Sequence, residues 1–180
     1  MNRTIENQLL KRFRALDFPK EAIGLGQSGE NTTYFCTPVG AEIIGWLGVD
    51  GIHFCLIPAF SPDMVFAISP MPCGPRYVEP VARSFEDFLS LVLFCKDASP
   101  LEQICYLEEA RFLALLQEEE QSICPEKAAA LQALRTGLGL EAQPEAYRYV
   151  RQLQAELDYA AIPFLQEYYD TVGEDDRPGC

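Results

Sequence analysis

A chain of 180 residues, 48% apolar and 11% aromatic, is long enough for one domain or one domain with an appendage, and its composition excludes wholesale disorder. Lys and Arg total 14 against 27 Asp and Glu; the net charge of −13 argues against nucleic acid and anionic membrane surfaces and suits a basic partner. No apolar run reaches the roughly 18 residues of a membrane span.

Residues 4–16 predict a short helix, with Ile5, Leu9, Leu10, Phe13 and Leu16 on one stripe and Asp17-Phe18-Pro19 at its end. Gly24 to Asn31 reads as a loop rich in glycine, without the lysine pattern of a phosphate-binding loop. Strand-favouring types fill Thr32 to Cys36, Glu42 to Leu47, Ile52 to Ile57, Met64 to Ile68 and Tyr77 to Ala82. Gly48-Val49-Asp50-Gly51 predicts a hairpin turn, because an Asp-Gly pair tolerates positive φ, and alternate residues of the flanking strands are expected to face a core. Prolines at 58, 62, 70, 72, 75 and 80 cut this region short and confine their strands to edges or ends.

Helical patterning begins at Ser84, a cap residue with Asp87 at the capping-box position and Phe85, Phe88, Leu89, Val92 and Leu93 on one face. A second start, with Ser99 as cap, Pro100 in the first turn and Glu102 at the box position, predicts a helix from Leu101 to about Gln121 with a fraying acidic end at Glu118-Glu119-Glu120. Residues 125–136 form a shorter helix that Gly137 and Gly139 end. Gln143-Pro144 opens a last long helical segment, with Tyr149, Val150, Leu153, Leu157, Ala160, Ala161 and Phe164 in its stripe and a kink or new turn at Pro163. The pattern predicts an α+β fold: a small, mostly antiparallel sheet packed by helices, with a helical C-terminal half. Residues 1–98 form the α+β core region, 99–172 a helical extension packed on it, and 173–180 a flexible acidic tail.

Little standard catalytic equipment accompanies this fold. His53 is the single histidine, which removes multi-histidine metal sites and reads as a structural or exposed residue. Among seven cysteines, Cys36, Cys55 and Cys95 lie in apolar surroundings, Cys180 is terminal, and Cys73, in Pro72-Cys73-Gly74-Pro75 near Arg76, is the one candidate nucleophile. No CxxC pair occurs and Met1 to Asn7 is polar, so the expectation is a cytoplasmic chain with reduced thiols and no secretory leader. Glu108-Glu109 and Glu118-Glu119-Glu120 diverge around their helix and read as a solvated face, while Tyr168-Tyr169 offer one packed ring and one half-exposed ring that could contact a partner. No catalytic, metal or cofactor-binding residue is assigned.

Residues 38–95 resemble the SMI1/KNR4 (SUKH) superfamily. The stretch Gly48 to Cys55 is followed by Asp63 to Ile68 and then by Val81-Ala82-Arg83-Ser84-Phe85-Glu86-Asp87-Phe88-Leu89, in the place where that family's short strands lead into a helix packed on the sheet. The resemblance implies a noncatalytic protein-binding module of the immunity type, whose partner is a protein such as a basic toxin, and it carries over no catalytic residue. Two other classes stay open from the residues: a small-ligand-binding protein or cysteine-dependent enzyme using Cys73 at the sheet–helix cleft, and a regulatory or structural homo-oligomer joined through its C-terminal helices.

Overall fold

The computed structural model describes residues 8–27 and 33–173. Four strands, β1 (Glu42–Trp46), β2 (His53–Ile57), β3 (Ser61–Ile68) and β4 (Val78–Ala82), form one sheet in the order β1-β2-β3-β4 with every pair antiparallel. The first hairpin turns at the Asp-Gly pair. The Ile52 N–H donates to the Val49 carbonyl at 3.0 Å, and Asp50 and Gly51 take φ values of 50° and 69°. Two central residues at positive φ make a type I′ turn, whose twist matches that of the strands it joins. Trp46 then pairs with His53 and Glu42 with Leu56. Gly45 has a separate purpose: Gly26 and Trp46 exchange backbone hydrogen bonds of 2.9 and 2.8 Å along the outer side of β1, and a Cβ on Gly45 would stand 2.8 Å from the Leu25 backbone. At the other edge, β4 carries Pro80, while Pro62 sits at the start of β3, where a missing N–H costs least.

β2 is buried at all of its positions because both faces of the sheet are covered. Phe54 and Leu56 join Val65, Ala67, Val81 and the helices in one core, whereas Cys55 and Ile57 join Phe66, Ile68, Val78 and Ile162 in another. The period-two alternation expected from the sequence therefore serves two cores instead of one. Helices α1 (Gln8–Ala15), α2 (Phe85–Cys95), α3 (Ser99–Gln103), α4 (Glu109–Gln121), α5 (Pro125–Leu138) and α6 (Ala146–Glu156) all contribute buried side chains, and most of them go to the first core. The second core is closed by Tyr34, Phe35 and Cys36 and by the chain after α6, including Leu157, Tyr159, Phe164 and Tyr168.

That second core corrects the strand predicted over Thr32 to Cys36. Thr32 lies outside the described residues, and the rest forms a turn in which the Thr37 N–H donates to the Tyr34 carbonyl at 2.8 Å and the Tyr34 N–H to Thr37 Oγ1 at 2.9 Å. Its aromatic residues mark burial, not strand pairing.

α2 starts as predicted: Ser84 Oγ accepts the Asp87 N–H at 3.0 Å, and Phe85, Phe88, Leu89, Val92 and Leu93 are buried. The Asp87 carboxylate does not return to the cap, however; it accepts the Tyr149 hydroxyl at 2.6 Å and so ties α6 to α2. The helix predicted from Leu101 to Gln121 is two helices, α3 and α4, separated by residues 104–108. Ser99 is the first residue of α3 and Ala98 its N-cap; Asp97 Oδ1, one residue earlier, accepts the Ser99 N–H at 2.8 Å, and Glu102 is buried where a box contact was expected. The break has a tertiary cause: Ile104 is drawn into the core and the Leu107 carbonyl accepts the Tyr147 hydroxyl at 2.9 Å. α5 continues past Gly137, whose missing Cβ would meet Leu16 at 2.6 Å, and stops at Gly139 with φ 71°.

The last predicted helix is also interrupted. α6 ends at Glu156, Leu157 is extended, a short 3-10 turn covers Tyr159–Ala161, and α7 (Gln166–Val172) follows Pro163. The Pro163 carbonyl accepts the Val39 N–H at 2.8 Å, which fastens this crossing to the opposite face of the sheet. The predictions that fall on residues 4–7, 28–31 and 174–180 lie outside the described residues. Among the described residues no helix is long and apolar enough to cross a membrane.

Candidate protein-docking groove

α4 packs lightly for a helix of its length. Phe112 is its one fully buried residue, and Leu113 next to it is 50% exposed. Beside α4 lies the start of α6, and between them runs a groove of about 320 Å³ floored by Phe94, Phe112, Leu113 and Tyr147. Two contacts brace the floor: the Phe112 and Tyr147 rings are 5.6 Å apart, and the Tyr147 hydroxyl donates to the Leu107 carbonyl. Glu109 and Glu145 stand on the rim. Glu145 occupies the left-handed region at φ 65° immediately before α6, a conformation that costs a non-glycine residue roughly 1–2 kcal/mol. Its carboxylate accepts from Arg148 Nη1 at 3.2 Å, an exposed pair that offsets little of that cost.

The charge around α4 is strongly acidic. Within residues 108–121, Glu108, Glu109, Glu118, Glu119 and Glu120 stand against Arg111, which pairs with Glu118 at 2.8 Å; the neighbouring bases are Arg148, which lines the groove, and Lys127. The expected fully solvated face needs one correction. Glu119 is half-buried and shares Lys127 Nζ with Asp97, at 2.8 Å each. This shared lysine anchors the acidic end of α4 to α5 and to the α2–α3 corner, against the fraying that the helix dipole favours. Glu108, Glu109 and Glu120 remain exposed.

The residues singled out from the sequence do not converge. His53 is buried in β2, its ring 4.2 Å from that of Trp46. Its Nδ1–H donates to the Gly51 carbonyl at 2.8 Å, and burial pushes its pKa below the usual value, so it is neutral and structural. Cys73 is exposed, but Arg76 turns away to lie 3.8 Å above the Tyr159 ring and 3.6 Å from Glu79. Cys36, Cys55 and Cys95 are buried, Cys105 is half-buried, and the exposed Cys124 caps α5, its sulfur accepting the Lys127 N–H at 3.4 Å. Burial raises the Cys36 thiol to about 11 and Cys105 to about 12, which keeps both protonated. Tyr168 stacks on Phe164 at 3.9 Å, and both tyrosines of the pair are half-buried. Among the described residues no group of three or more His, Cys, Asp or Glu could hold a metal ion.

The burial of two carboxyls was not foreseen from the sequence: Glu79 and Glu102, the latter expected at a capping-box position, are 4% and 6% exposed. Glu79 accepts the Tyr159 hydroxyl, and burial raises its pKa against the opposing pull of Tyr159 and Arg76. Burial lifts Glu102 to about 7, partly countered by a hydrogen bond from Tyr106. The available signal was a charged residue inside an apolar run, Val78-Glu79-Pro80-Val81-Ala82. Comparison of the chain with family models, with curated proteins and with solved structures finds no match in any of the three.

Proposed function

We propose that this chain is a noncatalytic protein-binding module that docks a basic partner in the groove between α4 and α6. The observation that carries the reading is an open apolar groove of about 320 Å³ with a half-exposed leucine, Leu113, set in an acidic surface. Its occupant is a segment of a protein partner with one or two apolar anchors flanked by Lys or Arg. Each anchor buried there contributes roughly 1.5–3 kcal/mol, and the surrounding charge steers the encounter. The net charge of −13 supports a cationic partner over an anionic one. The SUKH resemblance of residues 38–95 supports an immunity-type role, in which the partner is a basic toxin neutralised by occlusion, in the cytoplasm where free thiols such as Cys73 and Cys124 persist.

The test is amide chemical-shift mapping with a designed amphipathic helical peptide of leucine and lysine, run beside a leucine–glutamate peptide of the same pattern. The reading expects saturable shifts confined to Phe94, residues 109–116 and residues 145–148 from the lysine peptide alone. Equal binding of both peptides, or shifts spread over the molecule, overturns the charge-matched groove. Sedimentation of the free protein covers the homo-oligomer: a dimer dispersed by Leu113→Asp assigns the groove to a second copy and rejects the basic partner.

A further inference from the structure

A second cleft, toward the C-terminal end of α6, has a different chemistry. It is about 280 Å³ in volume and lies between the β3–β4 connection (Pro75, Arg76), Cys105 in the turn after α3, and Arg151 and Gln154 of α6, with Glu79 beneath. Its donors outnumber its acceptors. Arg151 Nη1 donates to Gln154 Oε1 at 3.2 Å, which fixes the amide with its oxygen toward the guanidinium. Gln154 Nε2 is then left buried with no hydrogen-bond partner. The face of the Arg76 guanidinium is spent on the Tyr159 ring, but its planar edge carries N–H groups in a fork that its 3.6 Å approach to Glu79 does not saturate. On the acceptor side, Glu79 already takes the Tyr159 hydroxyl, and the Gln154 oxygen is taken by Arg151. Next to this cleft, and sharing Arg76, Glu79 and Cys105 with it, lies a much tighter space reached by Ser69, which is 6% exposed and whose Oγ is also without a partner.

Guanidinium groups are donors only, so a cleft lined by two of them favours a group that only accepts. Two arginines over one carboxylate give the cleft a local charge of opposite sign to the molecule. Glu79 directly beneath opposes a doubly charged ligand more than a singly charged one. The fork of an arginine matches the two oxygens of a planar carboxylate. We propose that this cleft binds the carboxylate of a small organic acid, held by the Arg76 and Arg151 guanidinium groups, with Gln154 bracing Arg151 from beside. The proposal is independent of the α4–α6 groove. The same carboxylate chemistry at the C-terminus of a peptide is the other source of such a group, and the titration below separates the two.

Titration of the full chain with sodium acetate and sodium succinate, against sodium chloride and sodium phosphate at matched ionic strength, tests the site by amide and arginine side-chain shifts. The expected result is saturable movement of residues 76, 105, 151 and 154 with the carboxylates, little with phosphate and none with chloride. Arg151→Gln, a change on an exposed position, is expected to weaken carboxylate binding about tenfold or more, as loss of a charge-assisted hydrogen bond does, while leaving the thermal midpoint near that of the parent. Gln154→Leu removes the amide oxygen that holds Arg151 and is expected to weaken binding as well. An acetyl-capped dipeptide with a free C-terminus binding more tightly than succinate moves the assignment to a peptide end and rejects the small acid. Shifts that follow chloride and phosphate as closely as acetate, or an unchanged affinity in Arg151→Gln, overturn the site.

Discussion

Glu102→Gln is expected to make the protein more stable, by a margin that opens above about pH 4.5 and is full above about pH 7. Glu102 is buried beside Tyr106, and burial raises its carboxyl from 4.5 to about 7. Ionising it in the folded state therefore costs more than in the unfolded chain, by about 3 kcal/mol at roughly 1.4 kcal/mol per pH unit. Because the folded pKa is the higher one, the carboxyl's favourable contribution is complete below about pH 4.5 and is lost as the pH rises through about 7. Glutamine keeps a carbonyl to accept the Tyr106 hydroxyl and cannot ionise. At pH 8 the variant should exceed the parent by up to about 3 kcal/mol, and at pH 4 the two should agree within about 1 kcal/mol. Urea denaturation across this range, with the slope m checked for constancy, reads the difference directly. Glu79 is raised in the same direction and shapes the pH profile of both proteins, so the difference between them isolates Glu102. A gap that does not widen with pH refutes the burial of an ionising Glu102.

Two further changes test the frame that holds both sites. Phe88 is fully buried with its ring 5.1 Å from that of Phe54, so Phe88→Ala should cost about 3–5 kcal/mol in denaturation, and a loss below about 1 kcal/mol contradicts the packing of α2 on the sheet. Gly45→Ala puts a methyl 2.8 Å from the Leu25 backbone and should cost about 1–3 kcal/mol with faster exchange of the Gly26 and Trp46 amides; unchanged exchange there argues against the added pairing at the edge of β1.

Local chemistry accounts for what was legible beforehand. The Asp50-Gly51 turn and the Ser84 cap are decided by residues adjacent in sequence, and both form where those residues place them. The α+β class follows from the switch between a period of two and a helical period. What escaped depends on partners far along the chain. The α3–α4 break is fixed by Tyr147 reaching the Leu107 carbonyl, and Gly137 stays helical because α5 crosses close to Leu16. The end of α6 and the turn at residues 33–37 both reflect one event, the return of the C-terminal segment over the second face of the sheet, which periodicity in either segment alone does not encode. The groove was hidden for the same reason: nothing in the sequence around Leu113 shows that α4 stands off from the core and leaves this leucine half-exposed. Glu79 and Glu102 were obscured by the abundance of acidic residues around them.

The central claim is that the α4–α6 groove binds a basic protein, and its most direct measurement is the affinity of a partner captured through the groove itself. A photo-crosslinking residue at position 113, with Met71 as an exposed control site, fixes the partner in cells for identification and purification. The account predicts a protein of net positive charge that crosslinks from position 113 and not from 71. Its dissociation constant should rise about tenfold or more in Leu113→Asp, and its association rate should fall as salt shortens the screening length from about 10 Å at 0.1 M to about 3 Å at 1 M. An acidic partner, a second copy of this chain as the sole crosslinked product, or an affinity indifferent to Leu113→Asp contradicts it.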